Sequence, residues 1–457
     1  MDSPPASDTL LADLHQLFPK LIDLSLGRME RLLAKLGNPQ NHLRNVVHVA
    51  GTNGKGSTVA MIAALLQAGG YRVHRYTSPH LVRFHERINL NGVDIAEEAL
   101  AVLLQRIIAV NGDDPITFFE VTTAAALLAF AETPHDAVVL ETGLGGRFDA
   151  TNVVARPAVT VITPVAMDHQ EYLGDTLAAI AGEKAGILKP GVPLVLAAQA
   201  EEAAAVILAR AEALQAPVLM QGRDWQAQLQ PATVAGGMDT GGLHYQGVAG
   251  GWQQLPAPAL VGMHQAQNAG AALTAVQLLR DLPLSPQAMA QGLTQVRWPA
   301  RLQPLYHGAG VRALPAGWRL YLDGAHNPHG AAALAVQLQQ WRHPRYLVMG
   351  VLARKDPSAL LRLLLPHADA LIAIPMPGFE DQQVPPAQLL QLASQLGFAG
   401  SMQQAEDLPQ AVQLLAEGKA AGMAGVQDSA APTTPEPATV VVAGSLYLAG
   451  HILKDHH

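Results

Sequence analysis

The feature that most constrains this chain is a glycine-rich segment at residues 48–58, which reads HVAGTNGKGST. It follows an apolar stretch at 45–50 that is typical of a strand, and it precedes an alanine-rich stretch at 59–68 that is typical of a helix. A glycine-rich turn at a helix N-terminus directs backbone N–H groups toward phosphate, and the helix dipole adds to the attraction. The segment therefore predicts a phosphate-binding loop between a strand and a helix.

Lys55 is the residue of this loop that would reach the β- and γ-phosphates, while Ser57 or Thr58 would contact phosphate or magnesium. The spacing departs from the usual GxxxxGK[ST] pattern, because Gly56 separates Lys55 from Ser57 and the two glycines before the lysine are three residues apart. The alternative is an ordinary glycine turn with a solvated lysine. Because a strand and a helix flank the loop, we predict that it binds ATP.

Composition limits the remaining possibilities. A chain of 457 residues is too long for one ordinary core and predicts two or three domains. The net charge of −8 argues against nonspecific binding to nucleic acid, and the absence of cysteine excludes disulfides and thiolate zinc sites. The first eight residues do not resemble a secretory signal, and no stretch approaches the ~20 apolar residues of a membrane span. We therefore expect a cytoplasmic protein with neither nucleic acid nor membrane as a partner.

Apolar stretches that alternate with helical ones predict an α/β fold. Residues 9–38 have apolar positions at helical spacing and are predicted to form a helix. Strands separated by helices of 10–15 residues indicate a mostly parallel sheet covered on both faces. The strands predicted in the first half are Val46–Ala50, Ala137–Glu141, 159–163 and 193–197.

Residues 226–260 are rich in Gly, Gln and Pro and predict an irregular or antiparallel excursion. A second alternating series follows the RWPAR segment at 297–301, so we predict two domains, 1–298 and 299–457. The low-complexity stretch at 420–438 is predicted to be a disordered surface insertion. The strands predicted in the second series are Arg319–Leu322, 345–350, 370–374 and 439–444.

Polar residues that follow the strands are candidates for a site, because ligands bind at the carboxyl ends of strands in open α/β sheets. Glu141 ends a predicted strand and is followed by glycines, which suits a magnesium ligand; a solvated acidic strand end is the alternative. Asp168 and His169 follow the next strand. From residue types alone a metal role for His169 is the less favoured reading, since Mg²⁺ prefers oxygen ligands.

Lys184 lies in the segment EKAG at 183–186, near the end of a predicted helix over 176–186. A lysine in the last turn of a helix is favoured by the helix dipole, and this alone would explain it.

In the second half, Asp323, His326 and Asn327 lie in the segment YLDGAHNPH, directly after a predicted strand. They indicate a site, although an Asn-Pro pair with small residues is also typical of an ordinary turn and helix start. Arg301 lies at the inferred domain boundary, where an arginine could reach a nucleotide held by the other domain.

Six motifs occur in order along the chain, and together they are specific for one protein family. The chain resembles the folylpolyglutamate synthase/dihydrofolate synthase family of the Mur ligase superfamily over roughly residues 20–450. The ordered set carries this resemblance, whereas no single motif would. The motifs are GTNGKGS at 51–57, TSPH at 77–80, ETGLGGRFDATN at 141–152, Asp168 with His169, EKAG at 183–186, and DGAHNPH at 323–329.

The resemblance implies a Mur-ligase-type P-loop ATPase domain followed by a Rossmann-like glutamate ligase domain. It implies an ATP-dependent ligase in which a substrate carboxylate attacks the γ-phosphate and L-glutamate then displaces phosphate from the acyl phosphate. The catalyst needs no protein nucleophile; it must align two anions and neutralise charge. The implied substrates are dihydropteroate, reduced folates and L-glutamate, with two Mg²⁺ ions. We expect a bifunctional enzyme that acts as a monomer.

The resemblance also implies roles for individual residues. The catalytic residues would be Lys55, Lys184 as its carbamate supporting a second metal ion, and, as a weaker candidate, His326. The metal ligands would be Ser78, Glu141 and His169. The ATP contacts would be Thr52, Asn53, Gly54, Lys55, Gly56, Ser57, Asn268, Arg301 and Asp323. The pterin pocket would comprise Thr117, Phe118, Phe119, Glu120, Phe148, Asp149 and Ala150, although Phe118 and Phe119 would otherwise be read as core residues.

Two other functions remain open at this point. The first is a Mur-type ligase that joins an amino acid to a cell-wall nucleotide precursor. We expect it to need an extra N-terminal domain, whereas only about forty residues precede the phosphate loop. The second is a P-loop regulatory ATPase that couples hydrolysis to binding a protein partner; it would hydrolyse ATP without any amino acid.

Overall fold

A computed structural model describes residue 11 and residues 25–230, 241–248, 250–422 and 437–455. The chain forms two compact units. The first runs to Ala259 and resumes over Gln265–Arg297, and the second comprises Leu260–His264 and the chain from Trp298 onward. The division after Arg297 lies one residue from the predicted position. The sequence predicted that Leu260–His264 belongs to the first domain, but this short segment groups with the second unit.

From residue 25 onward, the first unit contains eleven strands and nine helices among the described residues. Its strands are β1 (Val46–Ala50), β2 (Val73–Tyr76), β3 (Ile88–Leu90), β4 (Val93–Asp94), β5 (Ala137–Glu141), β6 (Val159–Ile162), β7 (Leu194–Leu196), β8 (Val218–Met220), β9 (Gln226–Gln230), β10 (Gly242–Gln246) and β11 (Trp252–Pro256). Its helices are α1 (Gly27–Lys35), α2 (Lys55–Ala68), α3 (Glu97–Asn111), α4 (Phe118–Glu132), α5 (Gln170–Leu173), α6 (Leu177–Lys184), α7 (Glu201–Ala213), α8 (Gln265–Gln277) and α9 (Pro286–Gln295).

The main sheet has eight strands in the order β4-β3-β2-β5-β1-β6-β7-β8. The six strands β2, β5, β1, β6, β7 and β8 pair in parallel, whereas β3 and β4 at one edge pair antiparallel. Every residue of β1, β5 and β6 is buried, as expected for the central strands of a parallel sheet covered on both faces. Consequently the carboxyl ends of β2, β5, β1 and β6 meet at one edge of the sheet.

The predicted excursion at 226–260 forms a separate antiparallel sheet in the order β11-β10-β9. Its buried Tyr245 places its hydroxyl 3.0 Å from Thr274 Oγ1 on α8. Gly270 of the same helix lies close to Trp225, because an added Cβ would approach that ring to within 2.6 Å. Part of the excursion, 231–240 and 249, lies outside the described residues.

The second unit is an α/β layer with its own buried aliphatic core. Its strands are β12 (Gln303–Leu305), β13 (Arg319–Leu322), β14 (Arg345–Met349), β15 (Ala370–Ala373), β16 (Ser401–Gln404) and β17 (Thr439–Ala443). Its helices are α10 (Ala309–Arg312), α11 (Pro328–Gln340), α12 (Pro357–Leu364), α13 (Pro386–Gln395), α14 (Leu408–Gly422) and α15 (Leu446–Lys454). The strand order is β12-β13-β17-β14-β15-β16, parallel except for β12, which confirms the predicted Rossmann-like arrangement.

The predicted helix over residues 9–38 is confirmed over Gly27–Lys35, but it does not include Ser25 and Leu26 or extend to residue 38. Residues 12–24 lie outside the described part, Ser25 and Leu26 are not helical, and α1 ends at Lys35. Gly37 and Asn38 then take left-handed backbone angles, with φ of 83° and 55°. The apolar spacing continues past the end of the helix, but a left-handed backbone stops helical hydrogen bonding.

Other helix limits also differ from the predictions. Helix α2 begins at Lys55, four residues before the predicted start. The helix predicted over 176–186 ends at Lys184 and continues as a 3₁₀ turn over Ala185–Ile187. Helix α14 extends to Gly422 and so enters the predicted disordered insertion, of which 423–436 lies outside the described residues. No helix among the described residues is long and apolar enough to cross a membrane.

Candidate active site

The predicted site residues of the first unit come together because four neighbouring parallel strands end at the same edge. The phosphate loop follows β1 directly, and Glu141 is the last residue of β5 beside it. Ser78 comes two residues after β2, and His169 follows β6 after a short loop. This is the edge at which open parallel sheets bind ligands.

Two glycines of the phosphate loop lie so close to neighbouring residues that a side chain would not fit there. Gly51 has a φ of 147°, and a Cβ there would lie 1.8 Å from Thr163 Oγ1. Gly54 has a φ of 87° and precedes the first residue of α2; a Cβ there would lie 2.5 Å from Asn268 Oδ1. Asn268 is therefore packed against the loop, as its predicted ATP role requires. Both glycines allow the close approach of neighbouring chain that fixes the loop.

Thr52 holds the phosphate loop against the segment after β6. Its N–H donates to Pro164 O at 3.0 Å, and its hydroxyl donates to Ala166 O and accepts from Ala166 N, each at 3.0 Å. The side chain predicted to contact ATP thus also anchors the loop. Its neighbour Asn53 is half-buried, and Ser57 in the first turn of α2 is buried.

Lys55 places its ammonium group at the mouth of the loop. Its Nζ donates to Thr52 O at 3.3 Å and lies 4.0 Å from Glu141 Oε1. The Glu141 side chain is 5 % exposed, whereas that of Lys55 is 16 % exposed. A cation at the start of α2 and a buried carboxylate at the end of β5 form the pair that phosphoryl transfer needs: a charge for the phosphates and an oxygen ligand for a metal.

Lys184 is buried at the end of α6, and its Nζ donates to Gly51 O at 2.9 Å. Burial, followed by the positive charge of Lys55, lowers the pKa of the Lys184 amine to about 7, although the charges of Asp168 and Asp149 act in the opposite direction. The helix-dipole explanation does not account for this contact, because the amine bonds to the phosphate loop. Lys184 thus belongs to the site.

The three predicted metal ligands supply few donors on their own. His169 has a φ of 53° and a side chain that is 41 % exposed, with Nε2 3.9 Å from Asp168 Oδ1. Within the part of the chain that the structure describes, no group of three His, Asp or Glu side chains could hold a metal ion. Ser78 and Glu141 would therefore need oxygens from the nucleotide to complete a metal site. That fits Mg²⁺, which is usually held by one or two carboxylates together with substrate phosphates.

The segment after Glu141, residues 143–152, is here called the Asp149 loop. Both oxygens of the buried Asp149 carboxylate accept hydrogen bonds within this loop. Oδ2 accepts from Gly143 N and Leu144 N, each at 2.9 Å, and Oδ1 accepts from Thr151 N at 3.0 Å and Thr151 Oγ1 at 2.5 Å. Burial raises the pKa of Asp149, and these four donors oppose the rise. The carboxylate predicted to bind pterin thus organises its own loop.

Glycines bring the Asp149 loop close to two other site elements. A Cβ at Gly143 would lie 2.3 Å from Cζ of Phe119. A Cβ at Gly146 would lie 2.8 Å from Glu183 O and 2.9 Å from Lys184 O. The loop therefore contacts both the predicted pterin pocket and the end of the helix that carries Lys184.

Thr117 and Glu120 have a structural function that the sequence analysis missed. The Thr117 hydroxyl accepts from Glu120 N at 3.2 Å, and Glu120 Oε2 accepts from Thr117 N at 2.7 Å, which is a capping box at the start of α4. Arg28 of α1 donates to Glu120 Oε2 at 3.2 Å and lies 3.1 Å from Oε1. The T-x-x-E spacing was the available signal for this box.

Two aromatic residues start α4 and differ in exposure. Phe118 is buried and packs edge-on against Phe84, with ring centroids 6.0 Å apart. Phe119 is half-buried and lies 6.3 Å from the ring of Tyr76. Phe118 thus belongs to the core, as the alternative interpretation held, whereas Phe119 keeps part of its surface exposed.

Phe148 is the most exposed of the predicted pocket aromatics, with 40 % of its surface accessible. The Arg147 guanidinium lies over its ring at 5.9 Å from the centroid. Ala150, two residues further on, is buried. The aromatic surface offered by this loop is therefore that of Phe148.

The second unit repeats the use of a buried aspartate at a strand end. Asp323 follows β13, and its two oxygens accept from Leu302 N and Ala325 N, each at 2.8 Å. Arg301 Nη1 donates to Ala300 O at 2.8 Å, and Ala300 has a left-handed φ of 55°. Asp323 thus holds the turn that carries Arg301, and both predicted ATP contacts lie in one cluster.

His326 and Asn327 lie in the same turn. His326 Nδ1 is 2.7 Å from Gly324 O, and Asn327 Oδ1 accepts from Gly330 N at 2.8 Å as the N-cap of α11. His264 was not singled out from the sequence, but it also belongs here. Burial lowers its pKa, the charge of Asp323 raises it, and that of Arg301 lowers it.

Two family models match the chain: the Mur ligase middle domain over residues 49–276, and the dihydrofolate synthetase C-terminal domain over 315–455. A dihydrofolate synthase/folylpolyglutamate synthase of Bacillus subtilis is 40% identical over 329 residues, covering 69% of this chain and 72% of the relative. The Escherichia coli protein of that name is 31% identical over 468 residues, covering 99% and 96%. The chain belongs to the dihydrofolate synthase/folylpolyglutamate synthase family.

Solved structures agree over nearly the whole length. Mycobacterium tuberculosis folylpolyglutamate synthase complexed with ADP and AMPPCP gives a TM-score of 0.83 at 31% identity, covering 98% of each chain. Escherichia coli FolC in complex with DHPP and ADP gives 0.80 at 30% identity, covering 99% and 98%. A bifunctional synthase with Mn, AMPPNP and L-glutamate bound gives 0.79 at 30% identity, covering all of both chains. The two-domain α/β fold and the ATP-dependent ligase class of the sequence prediction are thereby confirmed.

Proposed function

We propose that this enzyme uses ATP to join L-glutamate to dihydropteroate and to reduced folates, through an acyl phosphate and with release of ADP and phosphate. The observation that carries this assignment is the shared edge of β2, β5, β1 and β6, where a phosphate loop, a buried carboxylate and a buried amine lie together. Lys55 Nζ lies 4.0 Å from Glu141 Oε1, and Lys184 Nζ donates to the backbone of the same loop.

Each group has a defined part in that reaction. Lys55 offsets negative charge on the transferring phosphoryl group while the acceptor carboxylate attacks it. Glu141, with Ser78 and His169, would hold Mg²⁺, which supplies charge neutralisation to the phosphates when bound. Thr52 and Asn268 set the shape of the loop. The amine of glutamate then attacks the acyl carbon and phosphate leaves, so no side chain is acylated.

Lys184 is proposed to carry a carbamate that supports a second metal ion. Carbamate formation needs a neutral amine: the nitrogen bonds to the carbon of CO₂ and loses a proton, giving an anionic carbamate. Burial lowers the pKa of the Lys184 amine to about 7, so a large fraction is neutral near neutral pH. This supports the modification, and mass spectrometry under bicarbonate with rapid quenching would detect it.

Acceptance of both dihydropteroate and folates rests on one aromatic residue in the Asp149 loop and one beside it. Phe119 and Phe148 keep exposed ring surface on which a flat pterin would stack. The name of the Escherichia coli relative includes both activities. Because Asp149 accepts four hydrogen bonds within its loop, and Glu120 is bonded to Thr117 and paired with Arg28, we assign pterin selection mainly to stacking and backbone groups.

The test is an ADP-release assay with ATP and L-glutamate against dihydropteroate, tetrahydrofolate and a UDP-linked acceptor. Turnover with both pterin acceptors, absent without glutamate, is the expected result. Turnover with tetrahydrofolate alone would exclude the proposed dihydrofolate synthase activity. ATP hydrolysis without any amino acid would instead indicate a regulatory ATPase.

We propose that the enzyme acts as a monomer. Light scattering with size exclusion would test it. The cytoplasmic location stays a prediction.

A further inference from the structure

A line of buried polar groups connects the central strand β1 to the Asp149 loop. β1 reads VVHVA and is entirely buried, so His48 is a polar residue within the core of the sheet. Its Nε2 lies 2.8 Å from Thr151 Oγ1, and that hydroxyl lies 2.5 Å from Asp149 Oδ1. A buried imidazole costs free energy unless it is hydrogen-bonded, so its presence in an apolar strand needs a physical reason.

The direction of each hydrogen bond in this line follows from the chemistry. Three backbone N–H groups donate to the Asp149 carboxylate and favour its ionised form, which can only accept, so the Thr151 hydroxyl must donate to it. The oxygen of that hydroxyl then accepts from His48, which means that Nε2 of His48 carries the proton. Nδ1 of His48 is buried without a hydrogen-bond partner, so the ring is neutral. Burial also lowers the pKa of His48, to about 3, with a smaller contribution from the charge of Lys189.

The carboxylate at the end of the line determines the path of the chain after Glu141. Its other oxygen accepts from Gly143 N and Leu144 N, which bends the backbone immediately after the predicted metal ligand. Gly143 in turn lies against the ring of Phe119. The Asp149 carboxylate therefore holds the backbone on which that aromatic ring lies.

We infer that His48 and Thr151 are positioning residues for glutamate ligation. They orient the Asp149 carboxylate so that it holds the backbone N–H groups of Gly143 and Leu144, directly after Glu141 and beside Phe119. We expect a change at His48 or Thr151 to affect the pterin side of the site more than the phosphate loop, because the hydrogen bonds of Thr52 hold the phosphate loop. The expected change in kinetics, the kinetic part of the inference, rests on the proposed function. The expected protonation of His48, its protonation part, rests on the geometry alone.

The protonation part is tested without any assay of activity. Nitrogen-15 NMR of histidine-labelled protein identifies the His48 ring by the signal that is lost in His48→Gln. The expected result is a neutral ring protonated on Nε2 at neutral pH, with a shifted Nε2 signal in Thr151→Val. A ring protonated on Nδ1, or a charged ring, would overturn the inference.

The kinetic part uses Thr151→Val, which keeps the shape of the side chain but removes the hydroxyl. We expect kcat/KM for the pterin acceptor to fall about five- to tenfold and KM for ATP to change less than about twofold, since a typical hydrogen bond is lost on one side of the site. Thr151→Ser restores the hydroxyl and is expected to bring kcat/KM to within about twofold of wild type.

A matched control is Thr274→Val, at a buried threonine whose hydroxyl donates to Gly270 O at 2.7 Å in α8. It should lower Tm and leave the kinetic constants unchanged. If Thr151→Val does the same, or if KM for ATP rises as much as KM for the acceptor, the positioning role is excluded.

A second pair of variants is available if Thr151→Val does not fold. His48→Gln keeps an N–H donor, and His48→Leu removes it. We expect the first to retain kcat/KM within about threefold and the second to match the loss in Thr151→Val. Equal values for the two would overturn the inference. A wild-type enzyme without glutamate-dependent turnover would overturn the proposed function instead, and the NMR result would still decide the protonation.

Discussion

The phosphate loop and the Asp149 loop lie at the same edge of the same sheet, yet they use their polar side chains in opposite ways. Lys55 makes one long hydrogen bond within the protein, at 3.3 Å, and remains partly exposed. Asp149 is buried and accepts four hydrogen bonds from its own loop. The first loop presents charge to a ligand, whereas the second uses charge to hold backbone.

This difference separates two effects of substitution. A residue that acts on the ligand should lower activity without lowering stability, because its interactions form mainly with the ligand. A residue that holds backbone should lower stability, and it should lower activity only as far as the site moves. Of the five predictions below, four concern activity and run from the largest expected loss to the smallest, and the other concerns the pH dependence of stability.

Lys55→Ala should lower kcat by about 100-fold or more, about 3 kcal/mol, because it removes a charge that acts mainly on the transferring phosphoryl group. Its Tm should stay within about 2 °C of wild type, since the side chain makes little contact with the protein. ADP release and thermal unfolding measure the two quantities.

The control for this variant is Lys35→Ala, which breaks the exposed ion pair with Asp114 at 2.9 Å. It should leave both kcat and Tm nearly unchanged, as surface pairs contribute little. A Lys55→Ala enzyme with kcat within a few-fold of wild type would mean that Lys55 is a solvated turn residue.

Lys184→Ala should lower kcat by roughly 100-fold if the carbamate supports a metal ion, and acetate should restore part of the activity. Lys184→Arg keeps a positive charge but cannot form a carbamate, so it should be as inactive as the alanine variant. Full activity in Lys184→Arg would contradict the modification and favour a purely electrostatic role.

The same lysine predicts a pH dependence of stability. Its pKa is about 7 in the folded enzyme and near its ordinary value of 10.5 in the unfolded chain. Between these values the unfolded chain binds more protons, so the free energy of unfolding should rise with pH. Relative to Lys184→Met, wild type kept free of CO₂, so that Lys184 remains an amine, should gain stability from pH 7 to pH 10 in denaturant titrations. A constant difference would show that the amine is not perturbed.

Gly143→Ala should raise KM for the pterin acceptor about tenfold, because the new Cβ would lie 2.3 Å from Cζ of Phe119. Adding Phe119→Leu should relieve the steric overlap and recover part of the stability that Gly143→Ala loses. Gly27→Ala is the control, since nothing lies within 4 Å of a Cβ there. An unchanged KM in Gly143→Ala would mean that Phe119 can move without affecting binding.

Asn152→Ala should have the smallest effect on activity and the largest on stability. Its Nδ2 donates to Arg147 O at 2.9 Å and to Gly186 O at 3.1 Å, so the variant removes one hydrogen bond within the Asp149 loop and one that joins this loop to the 3₁₀ turn after α6. We expect unfolding to become easier by about 2 kcal/mol and kcat to fall only a few-fold. Denaturant unfolding measures the first, with exposed Gln291→Ala as the control. Equal stability of the two variants would contradict the distinction between the loops.

Much of this organisation could be predicted from sequence. The apolar stretch before the phosphate loop is β1, Glu141 does end a buried strand, and the excursion rich in Gly and Gln is an antiparallel sheet. These features follow from local patterns: hydrophobic runs, strand-to-helix turns and glycine-rich segments. The short strands β2 and β8 were missed, because three or four residues carry too little periodicity to be recognised.

The partners of individual polar residues could not be predicted in the same way. A lysine near the end of a helix is consistent with the helix dipole, and only the fold shows that Lys184 Nζ reaches Gly51 O across 133 positions of sequence. His48 reads as an interruption of an apolar strand until Thr151 is seen beside it. The capping box of Thr117 and Glu120 is different, because its four-residue pattern was available and was read as a binding motif.

The sequence by itself determined which chemistry this enzyme carries. A glycine-rich loop with Lys55, a carboxylate at a strand end and an ordered set of motifs are local properties, and they identify a phosphate site and a family. Only the tertiary structure decided which charged side chains remain partly exposed and which form their hydrogen bonds within the protein. The physical reason is that burial and long-range hydrogen bonding determine the energy of a charge: Lys55 and Asp149 look equally functional in the sequence, but four donors surround only one of them.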